Sequence, residues 1–370
     1  MRVLIAFDKF KDALTARQAC ATAATALREK HPDWTLDLCP LTDGGEGFCE
    51  TLTVAAGGRL EVFSVSGPRG AAIQAPAGFV QSRNLPDSIQ AQLSVPPSAT
   101  LAVIGLASAS GIELLRPGQR DPWQTTTYGT GELIHAVARQ NVSALLLGLG
   151  GSATNDLGLG ALAALGFKFS GRPTPSTWSS LSRMEGKINL PPLFIACDVT
   201  NPLLGPHGAT ATFGPQKGLK PDDLARLETE MARMAALLCT ACGKSMALAD
   251  TPGAGAAGGL GFGLMVAAGA KLVPGFDLVS TWLDLPARLA AADLVLTGEG
   301  RFDATSLAGK GPGSLVREAR RMGKTVHVFA GSLGGPADQA LHAITPPGLP
   351  LGEALTRTAE LLAAAVRQEL

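Results

Sequence analysis

The stretch LGLGGSATNDLGLGALAALG, residues 147–166, decides the fold class. An apolar run (ALLLGLG, 144–150) leads into a knot of glycines and the polar pair Asn155-Asp156, and then into an Ala- and Leu-rich segment. An apolar run that ends in glycine before a segment of helical composition is typical of a strand, a tight turn and a helix. The stretch therefore predicts one strand–turn–helix unit of an α/β protein.

The same alternation continues along the whole chain. Apolar runs that end near glycine, aspartate or proline are RVLIAF (2–7), TLDLCPL (35–41), LAVIGLA (101–107), FIACDV (194–199), DLVLTGEG (293–300) and TVHVFAG (325–331). Between them lie segments of helical pattern at 15–30, 130–140 and 221–244. This order predicts α/β architecture with largely parallel sheets that are covered on both faces. The Pro- and Ser-rich segments 81–99 and 170–183 are expected to be surface connections.

Composition excludes several classes of function. The chain has 370 residues, of which 46% are hydrophobic, and 31 basic residues balance 31 acidic ones. The length suits two domains, and we find no apolar stretch long enough for a membrane helix. Zero net charge and few aromatic residues argue against a nucleic-acid or membrane partner. The first apolar run stops at Asp8 without a cleavage pattern, and the six cysteines are scattered, so we expect a cytoplasmic protein with reduced thiols. The oligomeric state stays open.

Polar residues collect where the predicted strands end. They are Asp8-Lys9, the segment Asp43 to Glu46, the segment Gly150 to Asp156, the segment Asp198 to Asn201, and Glu299. In α/β proteins, ligands bind outside the carboxyl ends of the strands. These positions therefore predict an active site.

Two glycine patterns resemble nucleotide-binding loops. Residues 148–153 fit G-x-G-x-x-A after a strand, but no acid follows at the end of the next strand to bind a ribose. Residues 253–258 fit G-x-G-x-x-G without a preceding strand. A Walker A loop fails at 304–311, where Ala304 and Gly311 replace required residues. An anion site at the turn, or glycines that only permit close packing, both remain open.

Carboxylates and cations accompany these turns. A kinase for a small hydroxy acid needs metal-binding carboxylates, cations for phosphates and a base near the hydroxyl. Acids stand at Asp8, Asp43, Glu46, Asp156, Asp198, Glu299 and Asp303, and cations at Lys9, Lys11, Lys217, Arg301 and Lys310. Each alone could be a helix cap or a solvated surface charge, but together they favour a metal–phosphate site. A hydrolase lacks support, because Ser152 has no G-x-S-x-G frame.

Eight motifs occur together and in order. They are FDKFKDALTA (7–16), PLTDGGEGF (40–48), DPWQTTTYGTGELI (121–134), GLGGSATNDLGLGALAALG (148–166), ACDVTNPLLGPHGA (196–209), FGPQKG (213–218), GAGAAGGLGFG (253–263) and LVLTGEGRFDATSLAGKGP (294–312). With them, the chain closely resembles the bacterial glycerate kinase family, of the type that phosphorylates the 2-hydroxyl. The resemblance implies ATP and Mg²⁺ and the conversion of D-glycerate to 2-phospho-D-glycerate. It also implies a Rossmann-like domain (1–71 and 286–370), an inserted α/β domain (72–285) and an active site in the cleft between them.

Roles follow for the individual residues as hypotheses. Asp198, at a strand end beside Asn201-Pro202, is the expected base for the substrate hydroxyl, and Asn201 belongs to the same binding turn. Asp8, Asp43, Glu46 and Glu299 are the expected Mg²⁺ ligands. Phosphate or carboxylate binding is expected of Lys9, Lys11, Arg301 and Lys310 and of the loop residues Gly150, Gly151, Ser152, Asn155 and Asp156.

Some positions depart from the family pattern. Lys9 stands where Ser is frequent, Asp12-Ala13 replaces Gly-Ser, Ala304-Thr305 replaces Gln-Thr or Gln-Ser, and Gly105-Leu106 replaces Glu-Met. The missing Glu at 105 leaves open the kinase of a related hydroxy acid. The sequence also leaves open a nucleotide-cofactor (NAD(P)) oxidoreductase and a non-catalytic binding protein.

Overall fold

The computed structural model describes residues 1–304, 306, 311–334 and 339–370. They form two compact units, one of Met1–Asp43 with Val279–Leu370 and one of Gly44–Leu278. Each unit contains a β-sheet with helices, and most strand pairs are parallel. The predicted fold class is therefore confirmed.

The first unit is built on a parallel five-stranded sheet, in the order β13-β12-β11-β1-β2. Its strands are β1 (Arg2–Phe7), β2 (Thr35–Leu38), β11 (Leu294–Asp303), β12 (Thr325–Gly334) and β13 (Leu341–Ala343). Its helices are α1 (Ala16–Lys30), α11 (Leu285–Ala291), α12 (Pro312–Arg321), α13 (Leu351–Thr356) and α14 (Thr358–Glu369).

Apolar patterning explains these elements. Five consecutive residues of β1, from Val3 to Phe7, are fully buried, as expected of a central strand that is covered on both faces. Thr15 and Gln18 form a reciprocal capping box that starts α1. The buried face of α1 packs in one core with Leu362 and Val366 of α14. The terminal helix thus completes the core that the first strand begins.

The second unit is built on a six-stranded sheet, in the order β10-β9-β6-β5-β4-β3. Its strands are β3 (Arg59–Ser66), β4 (Ala72–Gln81), β5 (Thr100–Gly105), β6 (Ala144–Gly148), β9 (Leu193–Cys197) and β10 (Lys271–Pro274), with a separate ribbon of β7 (Lys168–Phe169) and β8 (Met184–Glu185). Its helices are α2 (Phe48–Ala55), α3 (Asp87–Gln92), α4 (Ala107–Ser110), α5 (Tyr128–Ala138), α6 (Leu159–Ala164), α7 (Ala209–Phe213), α8 (Leu224–Cys242) and α9 (Ala256–Ala268); α10 (Gly275–Trp282) begins here and continues into the first unit.

The division between the units differs from the predicted domain limits. The prediction placed residues 44–71 with the chain ends, whereas the structure places them with the middle of the chain. The reason is that β3 pairs with β4 along eight residues, from Arg59↔Phe79 to Ser66↔Ala72. This antiparallel pair extends the second sheet beyond its parallel part of β5, β6, β9 and β10.

One predicted surface connection contributes to the core. Within 170–183, the residues Pro175–Ser180 form a 3₁₀ turn, and the side chain of Trp178 is fully buried. Its indole Nε1 donates to the carbonyl oxygen of Pro173 at 3.2 Å. Proline and serine frequency indicated the loop correctly, but it gave no signal that one large side chain points inward.

Candidate active site

In the first unit, neighbouring strands bring two carboxylates to one sheet edge. β1 and β11 pair in parallel, with Phe7 opposite Gly298, and the N–H of Asp8 donates to the carbonyl of Gly298 at 3.0 Å. Asp8 follows β1 directly, and Glu299 follows Gly298 within β11. Asp8 is only 9% exposed, and Oε1 of Glu299 is buried without a hydrogen-bond partner among the described residues.

These carboxylates share an environment that disfavours negative charge. The pKa of Asp8 is raised to about 7, first by burial and then by the charges of Asp43 and Glu299, while Lys9 acts to lower it. The pKa of Glu299 is also raised, first by burial, while a hydrogen bond from Ser306 lowers it. Lys9 compensates in part, since its Nζ lies 3.8 Å from Oδ1 of Asp43 and its N–H donates to Oδ1 of Asp8 at 2.7 Å. The site carries excess negative charge that a cation would neutralise.

The carboxylates around Asp8 and Glu299 suit Mg²⁺, which does not need a site formed entirely by protein ligands. No group of three or more His, Cys, Asp or Glu side chains within the described residues is arranged to hold a metal by itself. Mg²⁺ keeps several waters and is typically bound by one or two carboxylates together with phosphate oxygens. Buried carboxylate oxygens, one of them unpartnered at Glu299, meet that requirement.

The predicted cations of the first unit occupy different settings. Lys9 belongs to the carboxylate cluster, whereas Lys11 is exposed. The guanidinium of Arg301 is also exposed, and its Nε donates to Oδ2 of Asp303 at 3.1 Å. Lys310 lies outside the described residues.

In the second unit, two glycine-containing turns, 44–46 and 148–151, pack closely against each other. The N–H of Gly150 donates to the carbonyl of Gly44 at 2.9 Å, and a Cβ at 150 would lie 2.5 Å from the backbone of Gly45. At Gly151, whose φ is +73°, a Cβ would lie 2.2 Å from Oε1 of Glu46. These glycines allow the turn 44–46 to approach the turn 148–151 backbone to backbone. Glu46, predicted as a metal ligand, lies against this loop.

Several donors of the glycine-rich loop are already committed. Besides that of Gly150, the N–H of Ala153 donates to the carbonyl of Ser110 at 2.9 Å, and that of Leu157 to the carbonyl of Gly258 at 3.0 Å. Ser152, which is partly exposed, forms a bridge with Gly111. The loop therefore has a fixed shape before any ligand binds, and a phosphate would have to use its remaining donors near 151 and 152.

Asp156, at the end of this loop, is fully buried. Its Oδ2 accepts from the N–H and hydroxyl of Thr127 at 2.7 and 2.8 Å and from the N–H of Gly160 at 3.2 Å, while its Oδ1 accepts from the N–H of Gly158 at 3.2 Å. Burial raises the pKa of Asp156, and the bonds from Thr127 lower it. The carboxylate thereby satisfies N–H groups at the N-cap positions of α5 and α6 and in the first turn of α6, a structural task that argues against direct contact with phosphate.

Lys217 is buried beside the same loop. It ends the 3₁₀ turn Pro215–Lys217 and is 1% exposed, and its Nζ donates to the carbonyl of Thr154 at 2.6 Å and to Oδ1 of Asn155 at 3.1 Å. Burial lowers the pKa of Lys217 to about 7, with the charge of Asp156 acting in the opposite direction. Asn155 is fully buried, and its Nδ2 has no hydrogen-bond partner among the described residues. The sequence placed Lys217 among the cations that accompany the strand ends, and the structure buries it in the protein interior.

Asp198 follows β9 and is half-buried. A Cβ at Gly275, the first residue of α10, would lie 3.0 Å from its Oδ2. Asn201 shapes the turn that follows, because its Nδ2 donates to the carbonyl of His207 at 2.7 Å. β9 and β6 are parallel neighbours, so Asp198 and the glycine-rich loop leave the same edge of one sheet.

The sequence and structure of the chain are similar to those of known proteins from one family. The model of the glycerate kinase family matches residues 3–369. The chain belongs to the glycerate kinase family. A glycerate kinase of Halalkalibacterium halodurans is 35% identical over 99% of this chain and 96% of its own length, and a glycerate 2-kinase of Escherichia coli is 35% identical over 90% and 86%. A crystal structure from Salmonella typhimurium LT2, of a protein assigned as glycerate kinase 2, is 36% identical, covers 100% of this chain and 96% of its own, and has a TM-score of 0.76.

Membership in the glycerate kinase family makes the chain an enzyme, a kinase that uses ATP as co-substrate. The resemblance inferred from the eight motifs is thereby confirmed. Neither a dehydrogenase nor a non-catalytic binding protein has support from these matches. Within the described residues, no helix is both long and apolar enough to cross a membrane.

Sequence reasoning missed two features of the site. Thr127 has no distinguishing signal in the sequence beyond its motif, although it supplies two of the bonds that hold Asp156. Gly275 was not predicted as part of the site, although its lack of a side chain leaves room for the carboxylate of Asp198. A glycine directly after a strand, at the first residue of a helix, is a signal that could have identified it.

Proposed function

We propose that this protein transfers the γ-phosphoryl group of ATP to the 2-hydroxyl of D-glycerate and forms 2-phospho-D-glycerate. The match of the glycerate kinase family model along nearly the whole chain carries the proposal. A glycerate 2-kinase among the relatives supports the position of transfer. The polar strand ends in both units supply the carboxylates, cations and turns that phosphoryl transfer needs.

Asp198 is the proposed base. It is half-buried at the end of β9, where the adjoining Gly275 leaves its carboxylate space and the turn at Asn201 is fixed by its own hydrogen bonds. In the reaction, Asp198 accepts the proton of the 2-hydroxyl while the oxygen attacks the γ-phosphorus and ADP leaves. Asn201 and the donors near Gly151 and Ser152 are proposed to bind the substrate and the transferred group.

Magnesium is the proposed metal, and Asp8, Asp43 and Glu299 would hold it. When bound, the ion neutralises phosphate oxygens of ATP. Lys9 sits within this cluster and is proposed to bind phosphate together with Lys11, Arg301 and Lys310. Glu46, which lies against the glycine-rich loop of the second unit, remains a predicted metal ligand.

The activity is tested by ADP release from ATP with D-glycerate, with NAD(P)H absorbance as the control for a dehydrogenase. NMR of the product distinguishes 2-phosphoglycerate from 3-phosphoglycerate, and formation of the 3-isomer would contradict the proposal. Asp198→Asn should lower kcat by about 10²- to 10⁴-fold, because the base is lost. The exposed Asp222→Asn is the matched control, and circular dichroism checks the fold of both variants. A normal kcat in Asp198→Asn would remove Asp198 from this role.

A further inference from the structure

Lys217 combines full burial with contacts to a loop that is distant in sequence. Its Nζ donates to the carbonyl of Thr154 and the side chain of Asn155, and the ring centroid of Phe213 lies 6.0 Å from it. Burying an ammonium group is costly unless it is paired and hydrogen-bonded. Asp156 is the charged group that acts on Lys217, and it is itself fully buried. Such a cost indicates that this lysine performs a task that an apolar residue could not.

The contacts of Lys217 join two functional segments of the second unit. The glycine-rich loop follows β6, and the segment that begins with Asp198 follows β9, the parallel neighbour of β6. That second segment passes through Asn201 and α7 and reaches the turn Pro215–Lys217. Lys217 therefore connects the far end of the segment of Asp198 back to the loop after β6.

The loop is held at the same place by the backbone of α9. Gly258 has a φ of +67°, and a Cβ there would lie 2.0 Å from the carbonyl oxygen of Thr154. Glycine at position 258 therefore leaves the space that the carbonyl oxygen of Thr154 occupies. Nζ of Lys217 meets that oxygen at 2.6 Å. The hydrogen bond thus satisfies a buried acceptor and fixes the peptide between Thr154 and Asn155.

We propose that Lys217 is a positioning residue, which holds the glycine-rich loop in register with Asp198 by binding the Thr154 carbonyl and the Asn155 side chain. The inference rests on the proposed function, since it assigns the loop near Gly151 and Ser152 to the transferred phosphoryl group. This role does not require Lys217, which is 1% exposed, to touch either substrate. A loop displaced by a fraction of an ångström would bind glycerate but transfer phosphate slowly.

The kinetic test uses Lys217→Met, which keeps the length of the side chain and removes its donors. We expect kcat to fall about 100-fold, while KM for D-glycerate changes less than about threefold because the ground-state contacts remain. Lys220→Met is the matched control, since Lys220 is exposed in the same segment. A kcat within about threefold of the wild type would overturn the inference.

Hydrogen exchange gives a readout that needs no substrate. In Lys217→Met, amide protection of residues 150–157 should drop, while that of β6 stays unchanged. If D-glycerate is not phosphorylated by the wild type, the proposed function fails, yet this exchange pattern still decides whether Lys217 orders the loop. Unchanged protection of 150–157 would contradict the inference even in an active enzyme.

A second variant covers the case in which Lys217→Met fails to fold. Asn155→Ala removes one acceptor of Lys217 and leaves the other, so it should lower kcat in the same direction by a smaller factor. Where both single variants fold, the double variant should lose no more kcat than Lys217→Met alone, because both act through one contact. Multiplicative losses, or a normal kcat in Asn155→Ala, would contradict this coupling.

Discussion

The buried carboxylates of the two units differ in what surrounds them. In the first unit, Asp8 and Glu299 face further negative charge, and a buried oxygen of Glu299 lacks a hydrogen-bond partner among the described residues. In the second unit, Asp156 accepts bonds from Thr127 and from two backbone N–H groups of its own loop, and it lies near the buried Lys217. A carboxylate surrounded by donors is part of the framework. A carboxylate that faces like charge is suited to bind a cation, which would neutralise that charge.

The contrast between Asp156 and the carboxylates of the first unit requires that Asp156 stabilise the fold. Asp156→Ala would leave buried donors unsatisfied and the charge of Lys217 uncompensated, so we expect the free energy of unfolding to fall by about 3–5 kcal/mol. Denaturant titration measures it. Asp222→Ala, on the surface of the same unit, should change the free energy by less than about 0.5 kcal/mol. Equal effects of the two substitutions would show that the cluster around Asp156 does not stabilise the fold.

The opposite behaviour is expected at Asp8. Asp8→Asn removes a repelled charge, so in EDTA it should raise the free energy of unfolding on the order of 1 kcal/mol, seen as a Tm rise of about 1–2 °C. In Mg²⁺ and ATP, the same variant should lose activity about 100-fold, because a metal ligand is gone. Asp12→Asn is the control, as Asp12 is exposed in the same segment. A variant that is both active and unaltered in Tm would contradict the role of Asp8.

The smallest effect is expected for a pair of histidines in the first unit, whose protonated forms are disfavoured by burial as the charged forms of Asp8 and Glu299 are. Nδ1 of His327 and Nε2 of His342 share one hydrogen bond at 2.9 Å, which requires one ring to be neutral. The pKa of each is lowered, first by burial, while Glu369 acts in the opposite direction. Below the ordinary pKa of histidine, the unfolded chain then binds more protons than the folded one, so stability falls as pH falls through this range.

The measurement is Tm as a function of pH. His327→Gln should flatten the loss of Tm between about pH 7 and 5, whereas His135→Gln, at an exposed position of α5, should leave the wild-type profile unchanged. A wild-type Tm that rises on acidification would contradict the assigned direction. Identical profiles for both variants would show that the pair does not govern the pH dependence.

Sequence patterning predicted the strands that consist of uninterrupted apolar residues, such as β1 and β6, because burial on both faces imposes that composition. It missed β3 and β4, an antiparallel pair in which Leu60 and Val62 of β3 are exposed, so that no uninterrupted buried apolar run marks β3. Of the candidate site, it located the polar strand ends, since parallel strands carry them to one edge of a sheet. It could not separate Asp156 from Asp8, because the donors that distinguish them come from distant positions such as Thr127.

By itself, the sequence determined the α/β class, the order of the motifs and hence the glycerate kinase family. These depend on residue type and spacing along the chain, which one sequence displays completely. Only the tertiary structure decided that the glycines near 150 pack against 44–46, that Asp156 is satisfied inside the protein and that Lys217 is buried beside the loop. Burial and hydrogen-bond partners are properties of contacts between distant segments, and the pKa of an ionisable group is set by those contacts rather than by its neighbours in sequence.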